Sequence, residues 1–138
     1  MRGLRTLLLA CLAAGAIAPP MLRAQEPLDK IQQELEQVKK THPLGLLPAD
    51  GVEDENGATT LRLDNTSRLD VVVLVVGPTT ARVELGPERM QTLTLQPGDY
   101  EIAVVPSVPR GLTVPSFYGK QTIAPAMRFI HKFVIPGI

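Results

Sequence analysis

Tryptophan is absent from the chain, and two tyrosines and three phenylalanines are its only aromatic residues. Surfaces that recognise sugars or nucleic-acid bases stack them on such rings, so this scarcity counts against both functions. Cysteine is nearly missing too, with Cys11 the only one. A single cysteine forms no disulfide framework within the chain. An excess of either charge is also lacking, since 14 Lys and Arg meet 14 Asp and Glu. Nucleic-acid binding calls for a basic face that displaces counterions, and nothing in this balance supplies one. Finally, no apolar run approaches the roughly 20 residues of a membrane-spanning helix.

The longest apolar run, Leu7 to Ala18, lies between Arg2 and Arg5 on one side and Pro19-Pro20 on the other. A positive start, a short apolar stretch and the small residue Ala24 before Gln25 make residues 1–24 a secretory signal peptide. Cleavage after Ala24 is favoured over cleavage after Ala18, and the remainder is expected in the periplasm or outside the cell. Cys11 follows Leu8-Leu9-Ala10 as in a lipoprotein signal, but the apolar stretch continues beyond it to Ala18, where an acylation site would end it. Cys11 is therefore expected to leave with the signal. Thiol nucleophiles, iron–sulfur clusters and cysteine-type zinc sites leave with it. Processing also removes Arg2, Arg5 and Arg23 but no acid, leaving 11 bases against 14 acids.

Residues 25–42 read as one amphipathic helix. Leu28, Ile31, Leu35 and Val38 recur at spacings of three and four, with polar residues between them. Pro27 and Asp29 suit the first turn, Lys39-Lys40 the last, and His42-Pro43 the end. The stripe is too short for a stable isolated coiled coil, so it packs on the rest of the chain, on a partner, or frays. Residues 43–58 mix Pro, Gly and acids without a period and read as an acidic linker.

From residue 59 onward, short β-type runs alternate with turn residues at intervals of about ten, the pattern of an antiparallel sandwich. Val71 to Val76 is apolar on both faces and is expected to be a central strand covered on both sides. Pro106 to Pro115 is expected to be a long loop or an edge segment without ladder bonds, and Phe129, His131, Phe133 and Ile135 to share one face of a last strand. The fold class is thus all-β: one Greek-key sandwich over 59–138, preceded by the helix and linker.

Within Leu93-Thr94-Leu95-Gln96-Pro97-Gly98-Asp99-Tyr100, Pro97 and Gly98 form a corner and Tyr100 starts the next strand. A tyrosine so placed pins the crossover by returning its hydroxyl to upstream backbone. Together with Asn65-Thr66-Ser67, Gly77-Pro78 and Phe117-Tyr118-Gly119, this corner resembles small secreted bacterial immunoglobulin-like (transthyretin-like) modules of largely unassigned function. The resemblance covers the last 75 residues or so; it implies a fold and transfers no active site.

Candidate chemistry is sparse. Ser67, Ser107 and Ser116 lie outside any serine-hydrolase motif, and the glycines form no phosphate cradle. Asp50, Glu53, Asp54, Glu55 and Asn56 are acidic enough to suggest calcium but lack the alternating ligand pattern. His42 and His131 without a placed acid make a weak zinc case, so neither metal nor cofactor is expected. Asn65-Thr66-Ser67 fits a glycosylation acceptor, which matters only in a eukaryotic secretory pathway. The expected function is a non-catalytic binding or assembly module whose partner is another protein or an envelope component. Its candidate contact residues are Phe117, Tyr118 and the stripe Leu28, Ile31, Leu35 and Val38, through which the chain would also self-associate. Carbohydrate binding and a small metal-dependent hydrolase are the alternatives.

Overall fold

The computed structural model describes residues 28–111 and 114–134. The expected signal peptide, Cys11 and Ile135 lie outside them. The described chain is mostly β, with two mixed sheets and one short helix. Helix α1 (Leu28–Lys40) is followed by β1 (Leu44–Gly45), β2 (Gly51–Glu53), β3 (Thr60–Asn65), β4 (Val71–Val76) and β5 (Ala81–Leu85). Strands β6 (Met90–Thr94), β7 (Gly98–Pro106), β8 (Phe117–Ile123) and β9 (Met127–Phe133) complete it.

One sheet has the order β1-β8-β7-β4-β5 and the other β2-β9-β3-β6. Alternation along each strand turns one set of side chains inward. Leu61, Leu63, Phe129 and Phe133 of the second sheet meet Val71, Val73, Val75, Ile102 and Ile123 of the first in a single core. The outward set of β3 and β9, including Arg62, Asp64, Arg128 and Lys132, carries the charges that keep that face in water.

Helix α1 covers the outer face of the first sheet. Ile31, Leu35 and Val38 are buried with Leu74 of β4 and Ala103 of β7. This explains the doubly apolar β4: its odd-numbered valines face the sandwich core, and Leu74 faces the helix. The helix ends where the hydroxyl and amide of Thr41 both donate to the Val38 carbonyl and His42 takes a φ of 55°. Such a left-handed residue closes a helix C-terminus, and Pro43 prevents its resumption.

Two expectations need correction. The sandwich is not wholly antiparallel, because β3 pairs β9 in parallel and β1 pairs β8 in parallel. Period-2 patterning says which face is buried, not which way a distant neighbour runs. Nor are residues 43–58 a free linker. The Leu44 amide donates to the Ser116 carbonyl, and the Leu46 amide to the Tyr118 carbonyl. Gln121 then fastens Ala49 by accepting from its amide at 2.6 Å. Strand β2 finally joins the second sheet along β9. The segment straps one sheet to the other. Gly119 permits this close passage, since a Cβ there would run into the Leu46 carbonyl oxygen.

Candidate functional site

The structure divides the six contact residues expected from sequence. Ile31, Leu35 and Val38 are spent inside the chain, which removes them as a free association surface; only Leu28, 45% exposed, stays open. Tyr118 joins the stripe, because its ring faces the helix from β8. The Lys39 ammonium lies 5.5 Å from that ring's centroid and 3.1 Å from a Glu101 oxygen. The Tyr118 hydroxyl donates to the same Glu101 oxygen at 2.8 Å. Burial alone would raise the Glu101 pKa, but the hydrogen bonds from Tyr118 and Lys39 outweigh it and hold the carboxyl below its usual value. On the other flank Arg82 bridges Glu34 of the helix at 3.0 Å. The helix interface is thus apolar within and ion-paired at its rim.

Pro97, Gly98 and Tyr100 are a structural corner. The Tyr100 ring is buried, its hydroxyl donates to the Gln96 carbonyl at 2.5 Å, and it accepts from the Thr79 amide at 3.2 Å. Gly77 has no room for a Cβ beside this ring. A second polar tie is Asn65 at the end of β3, whose Nδ2 donates to the Leu69 and Gly86 carbonyls at 2.8 and 2.9 Å. That amide is fully buried, so the folded chain does not offer Asn65 for glycosylation.

Phe117 points the opposite way from Tyr118, as neighbours on a strand do, and packs against the sandwich core. It also lines a cleft of about 220 Å³ bounded by Gly45 to Leu47 of the strap, Val104 of β7, residues 131–133 of β9 and Val134 just beyond it. The rim is apolar and uncovered: Leu47 is 83% exposed and Val134 is 65% exposed. Leu44, paired with Phe117 across β1 and β8, is 51% exposed. Among the described residues the lining holds two titratable groups, His131 and Lys132.

His131 is only 5% exposed, and its ring stacks on Phe133 at 6.0 Å between centroids and 8° between planes. Burial pushes its pKa down, which keeps the imidazole neutral. Its Nε2 is sealed from water and has no hydrogen-bond partner among the described residues. A neutral imidazole carries one donor and one acceptor nitrogen, so one polar atom is left without a partner in the interior behind this wall. Arg62 Nε on the outer face of the second sheet is likewise unpaired, although that guanidinium meets Asp64 at 3.5 Å.

A wider hollow runs along Asp99, Glu101 and Lys120, but it is open and its acids are engaged: Asp99 accepts from the Thr122 hydroxyl, and Glu101 is bound as above. His42 stands exposed beyond the helix, away from the buried setting of His131. Asp54, from the acidic stretch, accepts from the Asn56 amide within its own turn. No group of three or more His, Cys, Asp or Glu residues suited to a metal ion occurs among the described residues. No family model, curated protein or solved structure matches the chain.

The sequence pattern points to Phe117 as a contact residue, but not to its companions in the cleft. Leu44 and Leu47 lie in the segment that reads as a linker. The signal for them is Leu44-Gly45-Leu46-Leu47, an apolar cluster that a solvated linker does not need.

Proposed function

We propose that the chain is an exported, non-catalytic binding or assembly module that meets a protein partner through the cleft between β1, β8 and β9. The observation that carries this reading is the pair of exposed apolar residues Leu47 and Val134 lining the same recess as Phe117, with the exposed Leu44 paired to Phe117 beside it. Contiguous exposed apolar surface with a recess at its centre is how contact sites are built, because an anchor side chain fills the recess while the rim excludes water. The immunoglobulin-like, transthyretin-like reading of the fold belongs with it. Strands β3 to β9 divide four and three between the sheets, and the Tyr100 corner ties their crossover, both of which support that reading. Export to the periplasm or beyond rests on the arginine-flanked apolar leader.

The test is site-specific photo-cross-linking in cells that export the full chain, with the cross-linker replacing Leu47 or, as control, the exposed Ile130 of the outer β9 face. A discrete protein adduct from position 47 and none from 130 is expected. No adduct at 47, or the same adducts at both positions, sinks the reading.

A further inference from the structure

We propose that β6 is a dimerisation edge, along which a second copy of this chain continues the second sheet across a two-fold axis at Thr92. The two sheets end in β1 and β5, and in β2 and β6. Strands β1 and β2 are two and three residues long, and β5 presents the exposed charges of Arg82 and Glu84. Short strands and charged strands are the devices that keep sheet edges from pairing with other chains. Strand β6 has neither. Its five residues, Met90-Gln91-Thr92-Leu93-Thr94, include no charge, proline or glycine, and its register with β3 runs through without a bulge. Met90, Gln91, Thr92 and Thr94 are all exposed. The edge lies two strands from β9 in the sheet order, so it stands or falls apart from the cleft.

The ladder shows which backbone groups are free. Just beyond its two ends the Asn65 amide donates to the Arg89 carbonyl, and the Leu95 amide donates to the Thr59 carbonyl. Alternate residues of an antiparallel strand bond to the same neighbour, so the odd-numbered residues of β6 turn their polar groups toward β3. The N–H and C=O of Met90, Thr92 and Thr94 therefore face the open edge. An unrelated strand would meet the same groups; what favours a second copy is that the sequence is its own complement in the register that uses all of them. With Thr92 opposite Thr92 of the second copy, Met90 of each chain exchanges both hydrogen bonds with Thr94 of the other. The side chains agree with that register: threonine meets threonine, methionine meets threonine, Gln91 meets Leu93, and no like charges face each other. A two-fold contact of this kind uses up both β6 edges and closes as a dimer, while the short or charged remaining edges do not propagate it.

The test is sedimentation equilibrium of the full chain over a micromolar to millimolar range. The average mass should climb with concentration from one chain toward two. Thr92→Lys sets two ammonium groups against each other across the axis, and Thr92→Pro removes an edge-facing N–H while leaving the bonds to β3 in place. Each should weaken dimerisation about tenfold or more, with circular dichroism unchanged. A mass fixed at one chain overturns the proposal, and so does association that both variants leave intact. Thr92→Cys checks the register without relying on those variants. Directly paired residues of this kind have Cα atoms about 5.5 Å apart, within reach of a disulfide, so mild oxidation should link Thr92→Cys into dimers. Glu84→Cys, on the charged β5 edge, should stay unlinked. No linkage at position 92, or equal linkage at 92 and 84, overturns the two-fold pairing of β6.

Discussion

Among the described residues, the apolar seam under α1 and the apolar cleft at the edge of the sandwich core are finished differently. Under α1 the chain supplies its own cover: Ile31, Leu35 and Val38 close over Leu74 and Ala103, with Lys39–Glu101 paired on one flank and Arg82–Glu34 on the other. At the cleft between β1 and β9, Leu44, Leu47 and Val134 stay exposed and a buried imidazole nitrogen is left over. A short amphipathic helix beside a sandwich looks, in the residue pattern, like the more obvious association surface. In three dimensions that stripe is mostly buried. The helix stripe is an internal seam with its polar groups satisfied, and the uncovered surface lies in a segment that carries no periodic signal.

The hardest blow to that contrast comes from truncating one leucine on each side. Leu74→Ala opens a cavity between sheet and helix at a site that is fully buried, and such changes cost about 2–5 kcal/mol. Leu47→Ala removes a side chain that already faces water, and changes of that kind stay within about 0.5 kcal/mol. Urea unfolding with unchanged slope measures both. Comparable losses would mean that the cleft is packed core and that the two regions are not different in kind.

A smaller effect sharpens the cleft side. Because burial holds the His131 pKa below its ordinary value of 6.5, the unfolded chain takes up a proton at a higher pH than the folded chain does. Stability from this residue is therefore full above about 6.5, falls as pH drops toward the folded-state pKa, and levels off below it. The expected result is a urea midpoint that declines on acidification through this window in the unaltered chain and declines less in His131→Phe. Identical pH profiles for the two proteins would show that His131 is not held neutral by its surroundings.

Much of the layout is legible in the residue pattern alone. Seven β-type runs after residue 59 correspond to β3 through β9, and β5 spans Ala81–Leu85, a run that its alternation marks out. The apolar run Val71 to Val76 reads as covered on both sides because a half-exposed strand would alternate. What covers it does not show, since a stripe of three buried positions fits a neighbouring sheet and a partner helix equally well. Strand direction is illegible for a related reason: β3 and β9 meet only after the chain has crossed between sheets, and local spacing holds no record of that pairing. The strap leaves little trace in the sequence because its ties are mostly backbone amides and one distant glutamine, Gln121, rather than a hydrophobic period. Asn65 reads as a turn residue, yet its side chain holds the turn from inside by bonding to carbonyls up to 21 positions away. The cleft combines both difficulties, with one wall from the strap and another from β9.

The smallest effect tests what holds the closed seam. If the apolar stripe fixes α1, then the rim pair of Lys39 and Glu101, both side chains about a third exposed, adds only a little. Exposed pairs are screened by salt and oppose side-chain entropy. Lys39→Met keeps an aliphatic stem over the Tyr118 ring while removing the charge, and Glu101→Gln keeps the shape while removing the carboxylate. In a double-mutant cycle the two changes should show a weak favourable coupling that shrinks as salt is added, with helical circular dichroism unchanged. Acid gives an independent check of sign. The Glu101 carboxyl is held below its ordinary value of 4.5, so its contribution is present above about 4.5 and is lost as pH falls through the folded value; Glu101→Gln removes that dependence. If Lys39→Met instead releases the helix, seen as lost helicity at neutral pH, the ion-paired rim rather than the stripe closes the seam. The two regions would then differ only in whether their polar groups have found partners.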